Sequence, residues 1–313
     1  MPRFDTPGPI TVHLDVPGGE VTIVASDRTD TVVDVHPGDD EEAVSLQVGY
    51  ADGELTVTAA GPPQPAGSGL SRHLGFDPVA ALQPQSWGRS LGVASWGVPG
   101  LSRLFGDACA TARVRIELPS GSHVRGEATA GEVHCSGRLG DCRLRTDHGD
   151  LTLGTAAAVD LATDSGEILL DRATGPATIT TSSGEVRAGT LDGPATIRND
   201  DGETYVGEVT GDLRLSGVNG DMYVTRAHAG VEAQNVHGAV HVLEVTRGSV
   251  TLTSVSGDLE IGVREGTAAW LDAATGTGTL HNSLRSQETP DSFGEQVRIH
   301  ARTQDGDITV TRA

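Results

Sequence analysis

Between Asn199 and Val224 the chain reads NDDGETYVGEVTGDLRLSGVNGDMYV, giving nearly the same unit three times, GETYV, GDLRL and GDMYV, each with an acid after its glycine. The same placement recurs along the chain as Glu132, Asp150, Glu167, Glu185, Glu203, Asp221 and Asp258, with Asp147, Asp164, Asp200 and Asp201 close by. Carboxylates in register are the groups that hold calcium or that divide acid and base work in glycoside hydrolysis. Calcium needs six or more converging oxygens, and one glycine with one acid per half-turn does not provide them. The GGxGxDxUx nonapeptide of calcium-binding β-rolls does not occur. Hydrolysis needs an irregular cluster, whereas these acids are evenly spaced. If they stack about 5 Å apart, repulsion in a watery dielectric costs roughly 1 kcal/mol per pair, which a fold tolerates without a metal. They are expected to be solvated turn residues, with no metal and no cofactor.

Cys135, Cys142, His134 and His148 also lie close in sequence and suggest zinc. Strand phase argues against it. Cys135 falls in a column with Leu153, Leu170 and Val206, and Cys142 aligns with Ala177, Ala195 and Leu213, so both thiols face inward while His134 faces out. A third set is Arg187, Tyr205, Tyr223 and His241, each lying between two apolar positions and one repeat apart. Stacked strands would make them vertical neighbours about 5 Å apart. Exposed aromatics beside arginine are common at binding faces, and outward ladders also stabilise sheets on their own. This row is the candidate binding site, with plain structural stacking as its alternative.

The elements that must position these groups follow from the repeat. From Gly131 the pattern glycine, acid, apolar, any, apolar recurs, in chain order, as GEVHC, GDLTL, GEILL, GEVRA, GETYV, GDMYV, GAVHV and GDLEI, with GEVRA and GAVHV as slightly degenerate copies. Successive glycines are 18, 17, 18, 18, 18, 18 and 19 residues apart. A second series, GDCRL, GPATI twice, GDLRL and GSVTL, falls halfway between. Each turn of about 18 residues therefore holds two short strands whose apolar positions alternate, which is strand periodicity. One inward column reads Val133, Leu151, Ile168, Val186, Thr204, Met222, Val240 and Leu259. No single unit buries its apolar face alone, and stacking supplies a continuous core. The sequence predicts an all-β fold, a parallel β-solenoid over 109–313.

Residues 1–60 read as a small N-terminal β module, with runs such as ITVHLDV and EVTIVA broken by PGG and DRTD. Residues 61–108 lack alternation and are rich in Gly, Pro and Ser, reading as an insertion or flexible loop. That stretch holds two of the three tryptophans, Trp87 and Trp96, together with Phe105, and these are candidate contacts for a partner. Glycine at 42 of 313 residues and aromatics at 3% fit many tight turns around a thin aliphatic core. The net charge of −21 would repel a phosphate backbone, so nucleic acid is not expected as a partner. All 22 basic residues are arginine, which removes Schiff-base and phosphate-loop lysine chemistry. No apolar run is long enough for a transmembrane segment and no export signal is apparent, while three cysteines fit a reducing compartment. The expected localisation is cytoplasmic.

The opening VPGGEVTIVASDRTDTVVDV, the ELPSGSHVRGEATAGEV segment, the SGD and SGE units and the closing GTAAWLDAATGTGTLHNSL with VRIHARTQDGDITVTRA together resemble the DUF4097 family of β-strand-repeat, adhesin-like proteins. The likeness spans most of the chain apart from the insertion. It implies a β-solenoid without agreed catalytic residues and, in some members, a link to envelope-stress responses. The expected function is a non-catalytic scaffold or interaction module whose protein partner the sequence does not name. GDITVTRA, near the end of the chain, leaves little sequence for a cap, so end-to-end stacking into homo-oligomers or filaments is also expected. The alternative is a carbohydrate-active β-helix enzyme using outward carboxylates such as Glu203 and Asp221.

Overall fold

The computed structural model describes residues 1–37, 46–59, 112–284 and 295–313. The insertion at 61–108, with Trp87, Trp96 and Phe105, lies outside the described residues. Regular structure among the described residues is β-strand throughout, and the predicted parallel solenoid is present.

Two series of strands stack in parallel. One runs through β9 (Ile168–Ala173), β11 (Val186–Leu191), β13 (Thr204–Val209), β15 (Met222–Ala227), β17 (Val240–Val245) and β19 (Leu259–Val263). The other runs through β8 (Leu151–Ser165), β10 (Ala177–Ser183), β12 (Ala195–Asp201), β14 (Leu213–Asn219), β16 (Val231–His237) and β18 (Gly248–Ser256). The column from Val133 to Leu259 pairs residue on residue and is buried throughout. Each aliphatic side chain enclosed in this way contributes about 1.5–3 kcal/mol relative to exposure.

Glycine opens each repeat for two reasons. Gly184 has φ +140°, and a Cβ there would lie 2.0 Å from the carbonyl oxygen of Gly166 on the rung before. Neither the backbone angle nor the space admits a side chain. A buried polar column at Thr146, Thr163, Thr181, Asn199, Asn235, Ser254 and Thr303 runs beside these turns. Several of its members donate to the turn carbonyls: Asn199 Nδ2 to Gly184 O at 3.0 Å, Asn235 Nδ2 to Gly220 O at 2.8 Å, and Thr303 Oγ1 to Gly257 O at 3.1 Å. Buried backbone groups require such partners, and this column supplies them inside the core.

The two ends depart from sequence order. At one, β2 (Thr11–Ser26) is sandwiched between β7 (His123–His148) on one side and β5 (Glu54–Ala59) with β6 (Ala112–Pro119) on the other, all parallel. Residues 1–59 thus share a sheet with the repeat. Outside these strands, β3 (Asp30–Pro37) runs antiparallel to β6, β1 (Arg3–Asp5) antiparallel to β3, and β4 (Leu46–Ala51) antiparallel to β5.

At the other end, β22 (Glu295–Asp305) and β23 (Ile308–Arg312) lie between β18 and β19 on one side and β20 (Thr267–Thr277) and β21 (Leu280–Asn282) on the other. The expectation that GDITVTRA forms the open edge is therefore corrected. Val297, Ile299, Ala301, Ile308 and Val310 are fully inward apolar residues that need a neighbour on each side, so their strands take the inner rung. The small-residue strand TAAWLDAATGT is left at the edge.

Candidate functional site

The predicted row assembles on the outer face of β11, β13, β15 and β17. Register places Arg187 beside Tyr205, Tyr205 beside Tyr223, and Tyr223 beside His241. The two phenol rings stack with centroids 4.9 Å apart and planes 8° from parallel, and Tyr223 stacks on His241 at 4.8 Å and 4°. The Arg187 guanidinium carbon lies 5.5 Å from the Tyr205 centroid, within cation–π range. His241 Nδ1 meets Glu260 Oε2 at 2.9 Å on the following rung.

Chemically the row is a string of phenols held by carboxylates. Tyr205 donates to Glu203 Oε2 at 2.5 Å, and Tyr223 donates to Asp221 Oδ2 at 3.2 Å. The hydrogen bond to Glu203, aided by burial, pushes the Tyr205 pKa up to about 12. Burial and then the Asp221 charge raise that of Tyr223. Both phenols are protonated donors at neutral pH. Arg187 is held protonated by Glu185, its principal partner. The ring faces cover one another, so a ligand meeting this row would touch ring edges, hydroxyls and carboxylates, with no open aromatic face to stack on.

The acid column has a role that spacing alone did not show. Asp150 Oδ1 accepts from the backbone N–H of Glu167 at 2.7 Å, Asp221 Oδ1 from Ala239 at 2.8 Å, and Asp258 Oδ1 from Asp307 at 2.7 Å. The short aspartate side chain thus caps the next rung's turn. Asp212, in the intermediate series, does the same for Gly230 at 3.1 Å. The glutamates bind sideways instead, as Glu203 does to Tyr205 and Glu185 to Arg187. Aspartate at these positions is thus a local backbone partner of the kind that short polar side chains often supply.

Cys135 and Cys142 are buried free thiols and His134 is exposed, as strand phase predicts, and His148 is exposed as well. The Cys135 pKa is raised well above the ordinary value by its contact with Cys142 and then by burial. Among the described residues no three His, Cys, Asp or Glu side chains converge as a metal site would require.

Sequence reasoning passed over Arg125, Arg143 and Arg145, which line one outer cleft with His13. The 18-residue step from 125 to 143 was the available signal. Arg125 precedes the first glycine–acid unit at Gly131, so the regular pattern does not include it.

No protein-family profile matches the chain, and no curated protein matches it. A crystal structure of a candidate cell adhesion protein from Clostridium sporogenes is similar at 11% identity, covering 100% of this chain and 98% of that one, with a TM-score of 0.19. That likeness is too distant to bear on any residue here. No helix among the described residues is long and apolar enough to cross a membrane.

Proposed function

We propose that the chain is a non-catalytic scaffold that pairs with a second copy of itself through the β20–β21 end. The observation that carries this is the edge itself. Among the described residues β20 is hydrogen-bonded to β22 alone and β21 to β23 alone, with Trp270 77% exposed and Leu280, at the end of the core column that includes Leu259 and Ile308, 45% exposed. An unpaired strand edge next to uncovered core is a template for another strand.

Charge favours a second copy as the occupant. The chain carries −21, yet Asp272 is the one acid in Thr267–Leu284, and it is paired with Arg302 at 2.8 Å and His300 at 3.0 Å. Two copies repel over most of their surfaces and meet here without that penalty. The opposite end carries antiparallel outer strands, which do not continue a parallel rung, so a two-fold contact of β20 with its counterpart fits better than a head-to-tail filament. Sedimentation over a concentration series tests this. A dimer that Trp270→Glu weakens at least tenfold is expected, and a monomer at the highest soluble concentration overturns it.

The remaining parts of the proposal rest on other support. The resemblance to DUF4097 suggests the envelope-stress setting, and an odd count of three cysteines favours a reducing compartment such as the cytoplasm. Regular acids engaged in capping backbone N–H groups favour a scaffold over a hydrolase. A glycan-cleavage screen with Glu203→Gln and Asp221→Asn as controls would reverse that reading if cleavage were seen and lost in either variant.

A further inference from the structure

A cleft of about 330 Å³ lies on the outer face where β2 meets β7. His13 pairs with Arg125, and Asp15 with Glu127, across the β2–β7 register. β7 then returns one rung later. Gly140 N donates to Ser122 O at 2.9 Å, and a Cβ on Gly126 would lie 3.0 Å from Leu144 and 3.2 Å from Leu14. Gly126 therefore sits between Leu14 and Leu144, and this stacking puts Arg143 over Arg125 and Arg145 over Glu127. Gly126 faces inward with Leu14 and Leu144, and Arg125, Arg143 and Arg145 stand around the cleft on the outer face.

The partners of these arginines are unequal. Arg143 Nε donates to Asp160 at 2.8 Å. Arg125 and Arg145 form no ion pair among the described residues, whereas Arg172, Arg198 and Arg214, farther along the repeat, each meet a carboxylate. Like charges on successive rungs are unfavourable unless something lies between them. The surroundings are also distinct in sign. Residues 112–146 hold Arg113, Arg115, Arg125, Arg138, Arg143 and Arg145 against Glu117, Glu127, Glu132 and Asp141, a basic stretch within a chain of −21.

We propose that this cleft binds a phosphate group. Guanidinium forks match phosphate oxygens in bidentate fashion, and three from two rungs, with His13 at the rim, provide more donors than a single carboxylate would use. Asp15 and Glu127 on the same walls repel a bare anion and accept hydrogen bonds from hydroxyls, so the group is expected to arrive on a hydroxylated phosphomonoester. The bond is ionic and weakens as salt rises.

Titration of the full chain with inorganic phosphate, glycerol 3-phosphate and glycerol, followed by amide chemical shifts and calorimetry, tests this. Both phosphates are expected to perturb residues around 13–15, 125–127 and 143–145, with the ester binding more tightly and glycerol producing no change. Arg125→Gln and Arg145→Gln should each weaken binding at least tenfold at unchanged melting temperature, while Arg198→Gln, on the same outer face several rungs away, should not. Absence of saturable phosphate binding, or binding equal in all three variants, overturns the site. Equal affinity for phosphate and its ester overturns the hydroxylated carrier and leaves free phosphate as the ligand.

Discussion

The two ends of the solenoid solve the same problem differently. Each tucks a long apolar strand one place in from its last parallel rung, β2 at the first end and β22 with β23 at the other. Beyond that, the first end reverses chain direction: β3 and β4 run antiparallel to their neighbours and β1 to β3, and Arg28 joins Asp30 and Glu117 across β3 and β6. Among the described residues the second end adds one more parallel rung, β20 with β21, as its last. A reversed strand ends the propagation of parallel rungs, whereas a parallel one presents the same edge that every internal rung offers its neighbour. The difference separates an end that terminates the stack from an end that invites another.

The largest expected effect contrasts two glycines. Gly306, in the inner rung of the β20–β21 end, has φ +143° with the Gly257 carbonyl oxygen 2.3 Å from where a Cβ would sit. Gly306→Ala should cost on the order of 3 kcal/mol or more, from strain and overlap together. Gly53, in the β4–β5 hairpin of the first end, has φ +82° and nothing within 4 Å. Gly53→Ala should cost only about 1–2 kcal/mol, the price of the angle alone. Thermal and urea unfolding of both variants checks this, and equal losses would mean that rung-to-rung contact does not set the cost.

A smaller effect is expected at the aspartate caps. Asp258 Oδ1 holds the backbone N–H of Asp307, and Asp307 Oδ1 in turn holds that of Thr279, so two carboxylates fasten the last rungs. Asp258→Ala should destabilise by about 1–2 kcal/mol, and Asp258→Asn, which keeps the oxygen, should recover most of it. Hydrogen exchange should speed up chiefly in β20 to β23. Loss spread evenly to the first end would mean that the aspartate caps do not act locally on the last rungs.

The smallest effect is acid dependence. Asp30 and Glu117 are lowered below their ordinary values of 3.8 and 4.5 chiefly by hydrogen bonds to Arg28, and Asp272 is lowered below 3.8 chiefly by Arg302. Because the folded pKa values are depressed, the stability they contribute is complete above the ordinary values and is lost as pH falls through the folded ones. Arg28→Gln and Arg302→Gln should lower the melting temperature at neutral pH and rejoin the parent curve in strong acid. The Arg28 effect should be greater, since Asp30 is 17% exposed and Asp272 56%. A larger effect at Arg302 would reverse the ranking of the two ends.

Much of the architecture is legible before folding. The inward column, the phase of Cys135 and Cys142, and the adjacency of Tyr205, Tyr223 and His241 all follow from an alternation of two and a step of 18, because a parallel ladder converts that step directly into contact. Other features could not be read this way. That the acids cap backbone N–H groups depends on which carboxylate oxygen reaches the next rung, and that the aromatic faces are mutually covered depends on ring rotation.

The sequence by itself determined the period, the inward and outward faces and the repeating neighbours, since these depend on local spacing and on the burial of apolar side chains. Only the tertiary structure decided the order of the terminal rungs. Spacing is silent there: several strands of compatible alternation compete for the same edge. The winner is the one whose apolar residues require cover on both sides.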